Sequence, residues 1–367
     1  MSRYDLSRAE IAGLLADEPR YRADQLWDGL YRGLAEPGEL RVLPGVLRER
    51  LMGESALASG LHNVRELSAD GGTTSKWLLG LGDGAAIETV LLHHPRHSTV
   101  CVSSQAGCAM ACTFCATGDA GFARHLSTGE IVEQVVLAGR AARAAGRRLD
   151  HVVFMGMGEP LANYDHVWRA IERIVDDIGI AARHVTVSTV GVVPGIRKLT
   201  KAKRQVNLAV SLHAANDALR DSLVPLNHRY PLDELIGACR DYIEATHRRI
   251  SLEWALIDGV NDSDDDADEL SGIALALRAH VNLIPLNPTP GGMTRGLAGS
   301  PRARVLSFQH RLDANGVNAT VRRTRGRTID AACGQLAALR RDARPPSAVS
   351  PTPTTRPPDP ATPAPPS

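Results

Sequence analysis

The chain has 367 residues, 43% hydrophobic and 23% charged, with a formal net charge of +1. That length and balance suit a soluble globular protein of one large domain plus a small one, and no apolar run approaches the length of a membrane span. The first residues lack the apolar core of a secretion signal, so the expected location is cytoplasmic; six cysteines kept reduced there point to metal binding or thiol chemistry, and a disulfide framework is a poor account of them.

Residues 1–70 read as a small helical domain, with Leu26, Leu30 and Tyr31 at helical spacing beside Trp27. Residues 71–97 read as a β-hairpin extension, because Ser75–His94 alternates apolar runs around Gly-Asp-Gly. Strand-like segments then recur at Ser98–Val102, His151–Met155, Val185–Ser188, Val206–Leu212, Ile250–Ile257, Val281–Leu286 and Ala319–Arg323. Helices separate several of them. Ser127 and Glu130 form a capping-box pattern, Pro231 and Pro301 open helices, and Asn315-Gly316 closes one. The acidic run Asp262–Glu269 sits where a helix dipole favours negative charge. Residues 345–367 hold ten prolines and little apolar bulk, the composition of a disordered tail.

Alternating strand and helix implies parallel strands with helical crossovers, hence an α/β fold. Polar or glycine-rich motifs follow five of the strands: the cysteine trio, Gly-Met-Gly-Glu-Pro, Ser-Thr-Val-Gly, Ser-Leu-His and Asn-Pro. Such motifs at the carboxyl ends of successive parallel strands are how a (β/α) barrel builds an active site. A complete or partial barrel over residues 98–344 is therefore expected, with an open doubly wound sheet as the alternative.

Cys108, Cys112 and Cys115 form a C-x3-C-x2-C run, half of all the cysteines within eight residues. Three thiolates on one loop suit a single soft metal centre. Structural zinc competes, but it usually takes four ligands with paired C-x2-C spacing, and no second pair occurs. Three ligands on a four-iron cluster would leave one iron open for a cosubstrate.

This run, with Phe114 before its last cysteine, resembles the signature of radical S-adenosylmethionine enzymes. The wider stretches CVSSQAGCAMACTFCATGDAGFARHL, FMGMGEPLANY, VSLHAAND, LIPLNP and RRTRGRTIDAACGQL closely resemble adenine-C2 RNA methyltransferases of the RlmN type, from Tyr4 to about Leu339. The resemblance implies a radical enzyme with one [4Fe-4S] cluster on Cys108, Cys112 and Cys115. It would consume two S-adenosylmethionine molecules per turnover, with an electron donor such as flavodoxin or ferredoxin. The implied substrates are adenosines of 23S ribosomal RNA and of tRNA beside the anticodon. Adenine C2 lies between two ring nitrogens and is a poor nucleophile, which is why a radical route is needed.

The same resemblance gives Cys333 the role of methyl carrier and Cys101 that of its partner in a transient disulfide. Either Cys101 or Glu88 would take the C2 proton, and the residues leave that choice open. Gly158, Glu159, Ser188, Ser211, Leu212, His213 and Asn287 match S-adenosylmethionine contacts. Val190 and Ala215 depart from the family pattern, where a small polar residue and a proline are common. Cys239 has no expected role. Arg322, Arg323, Arg325 and Arg327 are candidates for holding RNA phosphate near Cys333, and the helical domain is a further possible RNA contact. Two rivals stand beside this reading: a C8-adenine methyltransferase of the Cfr type, and a non-catalytic iron–sulfur RNA-binding protein.

Overall fold

Each crossover helix has to return the chain to the same edge direction of the sheet, and the strand-and-helix alternation does this repeatedly. The computed structural model describes residues 2–202 and 204–337; the proline-rich stretch expected to be disordered lies outside them. In chain order the strands are β1 (Leu61–Ala69), β2 (Thr74–Leu81), β3 (Ala86–His93), β4 (Ser98–Cys101), β5 (Gln105–Gly107), β6 (Phe122–His125), β7 (Leu149–Phe154), β8 (Val185–Thr189), β9 (Asn207–Ser211), β10 (Ser251–Leu256), β11 (His280–Pro285) and β12 (Ala319–Val321). Ten of them form one sheet, ordered β1-β2-β3-β4-β7-β8-β9-β10-β11-β12.

Within that sheet every pairing from β4 to β12 is parallel. Among the described residues β12 pairs only with β11, so the curl stays open as a partial barrel. The two-residue period of a strand divides core from interior. Val185 and Val187, Leu252 and Trp254, Val281 and Leu283 face the covering helices and are essentially fully buried. Their alternates Ser188, Glu253, Ala255 and Ile284 line the hollow inside the curl. One periodicity thus builds both the core and the wall of a chamber.

The helix signals act as expected. Ser127 and Glu130 cap the helix Thr128–Ala144 reciprocally, and Ser263 with Asp266 does the same for Asp264–Ala276 within the acidic run. Pro231 precedes Leu232–Thr246, while Arg302–Ala314 ends at Asn315 before the left-handed Gly316. Trp27 and Tyr31, on the helix Tyr21–Tyr31, are buried and stacked at 4.5 Å, so these aromatics serve the core.

Two elements differ from the sequence reading. Residues 61–69, read within the helical region, form β1 and pair antiparallel with β2, so the extension has three strands that continue the main sheet through the antiparallel β3–β4 pair. Its burial pattern explains the miss: most of β1 is exposed, so no apolar alternation marks it. The short β5–β6 ladder is the second, tying together the two ends of the cysteine loop.

Candidate active site

The cysteine loop is fixed before any metal is considered. Cys108 N–H donates to Gly121 O at 2.9 Å and Cys115 N–H to Cys112 O at 3.1 Å. Ala111 takes a left-handed φ of 52°, and a Cβ on Gly118 would press on the Cys112 backbone at 3.1–3.2 Å. All three thiols line a cavity at the carboxyl ends of the parallel strands. Burial pushes the Cys108 thiol up to about 12 and that of Cys112 well above its usual range.

The donor set fits an iron–sulfur cluster: three cysteine thiols line one cavity, and thiolates are the usual protein ligands of such a cluster.

The glycine-rich loop after β7 is zipped to the segment leading into the cysteines. Met157 O accepts from Ser104 N–H (2.8 Å) and Gln105 N–H (3.2 Å), and Glu159 N–H donates to Gln105 Oε1 (2.8 Å). Gly158 has φ 95°, and a Cβ there would lie 2.4 Å from Gln105 Cβ. Glycine is required by both the conformation and the contact. The Glu159 carboxylate faces the cavity and accepts from Leu161 N–H and Val190 N–H, each at 2.9 Å. Burial pushes it up to about 7. The backbone of Val190 makes this contact, so its apolar side chain is no obstacle.

Ser188, Ser211, His213 and Asn287 also line the cavity. Leu212 does not; its side chain is 1% exposed and belongs to the core. His213 Nδ1 accepts from Ala255 N–H at 3.0 Å, which leaves the ring proton on Nε2. Burial lowers this imidazole to about 3, and Phe114 meets it edge-on with centroids 4.6 Å apart. The aromatic of the cysteine motif thereby props the strand-end histidine.

Cys333 and Gly334 close the same cavity from the carboxyl-terminal side. Gly334 O accepts from Ala116 N–H at 2.8 Å, Leu336 O from Thr117 Oγ1 at 2.5 Å, and Cys333 O from Asn287 Nδ2 at 3.1 Å. Cys101 ends β4 outside that lining, near enough to Cys333, 232 positions along the chain, for a charge on Cys333 to disfavour one on Cys101. Burial, foremost, pushes the Cys101 thiol up to about 12. Glu88 is not part of the cavity lining; it pairs with Lys76 at 2.9 Å and accepts from Ala337 N–H.

Four residues in or behind the site were missed or placed differently by the sequence reading. Arg220, 1% exposed, donates to Leu212 O, Val190 O and Asn227 Oδ1, fixing the loops after β8 and β9. Glu253 lines the cavity with Oε2 buried and unpartnered. Arg322 lines the cavity too, where the sequence suggested phosphate binding, because it directly follows β12 and points inward. Lys76 is the fourth. A charged residue in an apolar strand context was its sole signal.

Residues 102–270 match the model of the Radical SAM superfamily. A probable dual-specificity RNA methyltransferase RlmN from Salinispora tropica is 49% identical over 348 residues, covering 92% of each chain. One from Mycobacterium marinum, of the same description, is 50% identical over 329 residues, covering 87% of this chain and 89% of its own. A solved radical SAM methyltransferase from Sphaerobacter thermophilus superposes with a TM-score of 0.87 at 50% identity, covering 92% of this chain and all of that one.

Proposed function

Since this chain belongs to the RlmN family of radical S-adenosylmethionine RNA methyltransferases, we propose that it methylates C2 of adenosine in 23S ribosomal RNA and in tRNA, using Cys333 as methyl carrier. The observation that carries the reading is that Cys333 lines the same cavity as Cys108, Cys112 and Cys115, with Cys101 near enough for a charge on Cys333 to bear on it. A non-catalytic binding protein has no use for the separated pair. Full-length likeness to RlmN-type relatives favours C2 over the C8 chemistry of the Cfr type.

Cys108, Cys112 and Cys115 would hold a [4Fe-4S] cluster. When bound, it supplies the electron that splits S-adenosylmethionine into methionine and a 5′-deoxyadenosyl radical. The protein does the rest. Glu159 accepts from the methionine ammonium, Gly158 lets that group approach the backbone, and Ser188, Ser211, His213 and Asn287 bound the adenosyl side. Cys333 holds the methyl at Sγ over the target base, which must leave its stack to reach the chamber. Cys101 then attacks Cys333 Sγ: the S–S bond forms as the bond from Sγ to the transferred carbon breaks, and that carbon keeps the electron pair and takes up a proton as the product methyl. Two S-adenosylmethionine molecules are consumed per turnover, and a flavodoxin or ferredoxin supplies the electron. The setting is cytoplasmic; no helix among the described residues is long and apolar enough to cross a membrane.

The test is nucleoside mass spectrometry of RNA from a strain lacking this gene, with and without complementation. Loss of 2-methyladenosine restored by the wild type but not by Cys333→Ala supports the reading. Unchanged 2-methyladenosine overturns it.

A further inference from the structure

The Lys76–Glu88 pair lies buried between β2 and β3, with side chains 7% and 9% exposed. A buried ion pair adds little net stability, because desolvation offsets its attraction. Its other contacts explain its placement better. Lys76 Nζ donates to Asp330 O at 3.1 Å, and Glu88 Oε2 accepts from Ala337 N–H at 2.9 Å. Asp330 and Ala337 lie on either side of Cys333, so one ion pair grips both flanks of the loop that carries it.

That loop needs gripping. Asp330 (φ 51°) and Gly334 (φ 83°) are both left-handed, and a non-glycine residue in that region costs free energy unless its surroundings hold it there. The extension supplies a further hold, with Gly326 N–H donating to Asp70 Oδ2 at 2.9 Å.

We propose that Lys76 and Glu88 are positioning residues that form a latch, setting Cys333 against the cavity. Both Glu88 oxygens are engaged, Oε1 by Lys76 and Oε2 by Ala337 N–H. The latch rests on this geometry and not on the methyl-carrier reading.

Full-length Lys76→Met, Glu88→Gln and Lys76→Met/Glu88→Leu proteins are compared with wild type by hydrogen exchange and by steady-state kinetics on RNA. The Glu88→Gln side chain retains an acceptor for Ala337, and the double substitution removes the pair without stranding a charge. Exchange in peptides covering 326–337 should speed up about tenfold in both single variants, with β8–β10 unchanged. The double variant should keep a near-wild-type thermal midpoint and a fast loop, and kcat should fall while KM for RNA holds. Wild-type loop exchange in Lys76→Met overturns the latch. So does equal acceleration of loop and central sheet in all three variants, which would make the pair a plain stabiliser. Loop acceleration in a protein that never methylates RNA would sink the proposed function and leave the latch standing.

Discussion

His213 shows how one side chain couples the site to the fold. Its imidazole is held down at about 3, chiefly by burial, against about 6.5 in an unfolded chain. The folded state thus refuses a proton that the unfolded state takes up. The resulting stability is complete above pH 6.5 and drains away as pH falls towards 3. His94, at about 4, acts with the same sign. Stability from urea unfolding should therefore drop between pH 6.5 and 5, by up to about 1.4 kcal/mol per pH unit for the fully buried His213, with a smaller share from the part-exposed, solvent-screened His94. His213→Asn, which tolerates the left-handed backbone at φ 62°, should flatten that slope by one proton. An unchanged slope would show that His213 is not the group responsible. Glu159 runs the other way: burial lifts it to about 7, and an ammonium ligand favours its ionised form. The affinity of the cluster-loaded protein for S-adenosylmethionine should rise with pH up to about 7 and then level off. Glu159→Gln should lower that affinity about tenfold or more and abolish the rise, as equilibrium dialysis would show.

At the scale of elements, the loops at the strand ends are where single atoms matter most. Gly158→Ala would force a Cβ to within 2.4 Å of Gln105 Cβ at a φ of 95°. A cost of about 1–3 kcal/mol or more in chemical denaturation is expected, with weaker S-adenosylmethionine binding alongside. Ser127→Ala removes a reciprocal cap far from the chemistry and should cost only about 1 kcal/mol. This contrast also marks what sequence can convey. Caps, the two-residue alternation and the clustered cysteines are local patterns, and the seven parallel strands and the cluster loop were legible from them. β1 was not, because its exposed face carries no alternation. Nor were Lys76, Arg220 and Glu253, whose meaning lies in partners 254, 30 and 29 positions away. Glu88 was found by resemblance alone, and the resemblance said nothing of its ion pair.

At the scale of the whole molecule, the fold brings the end of the first parallel strand towards the segment that follows the last. Cys101 leaves the first parallel strand and Cys333 follows the last. Mild diamide oxidation should therefore link Cys101 to Cys333, giving one crosslinked tryptic pair by mass spectrometry, while Cys239, 1% exposed in its helix, stays free. Scattered or absent crosslinks would contradict the proximity.

The closing segment also acts as a wall. Ala116 and Thr117, beside the cluster cysteines, are bonded to Gly334 and Leu336. A chain cut short before Gly334 would lose both hydrogen bonds and, with Cys333 and Gly334, one side of the chamber that the three thiols line.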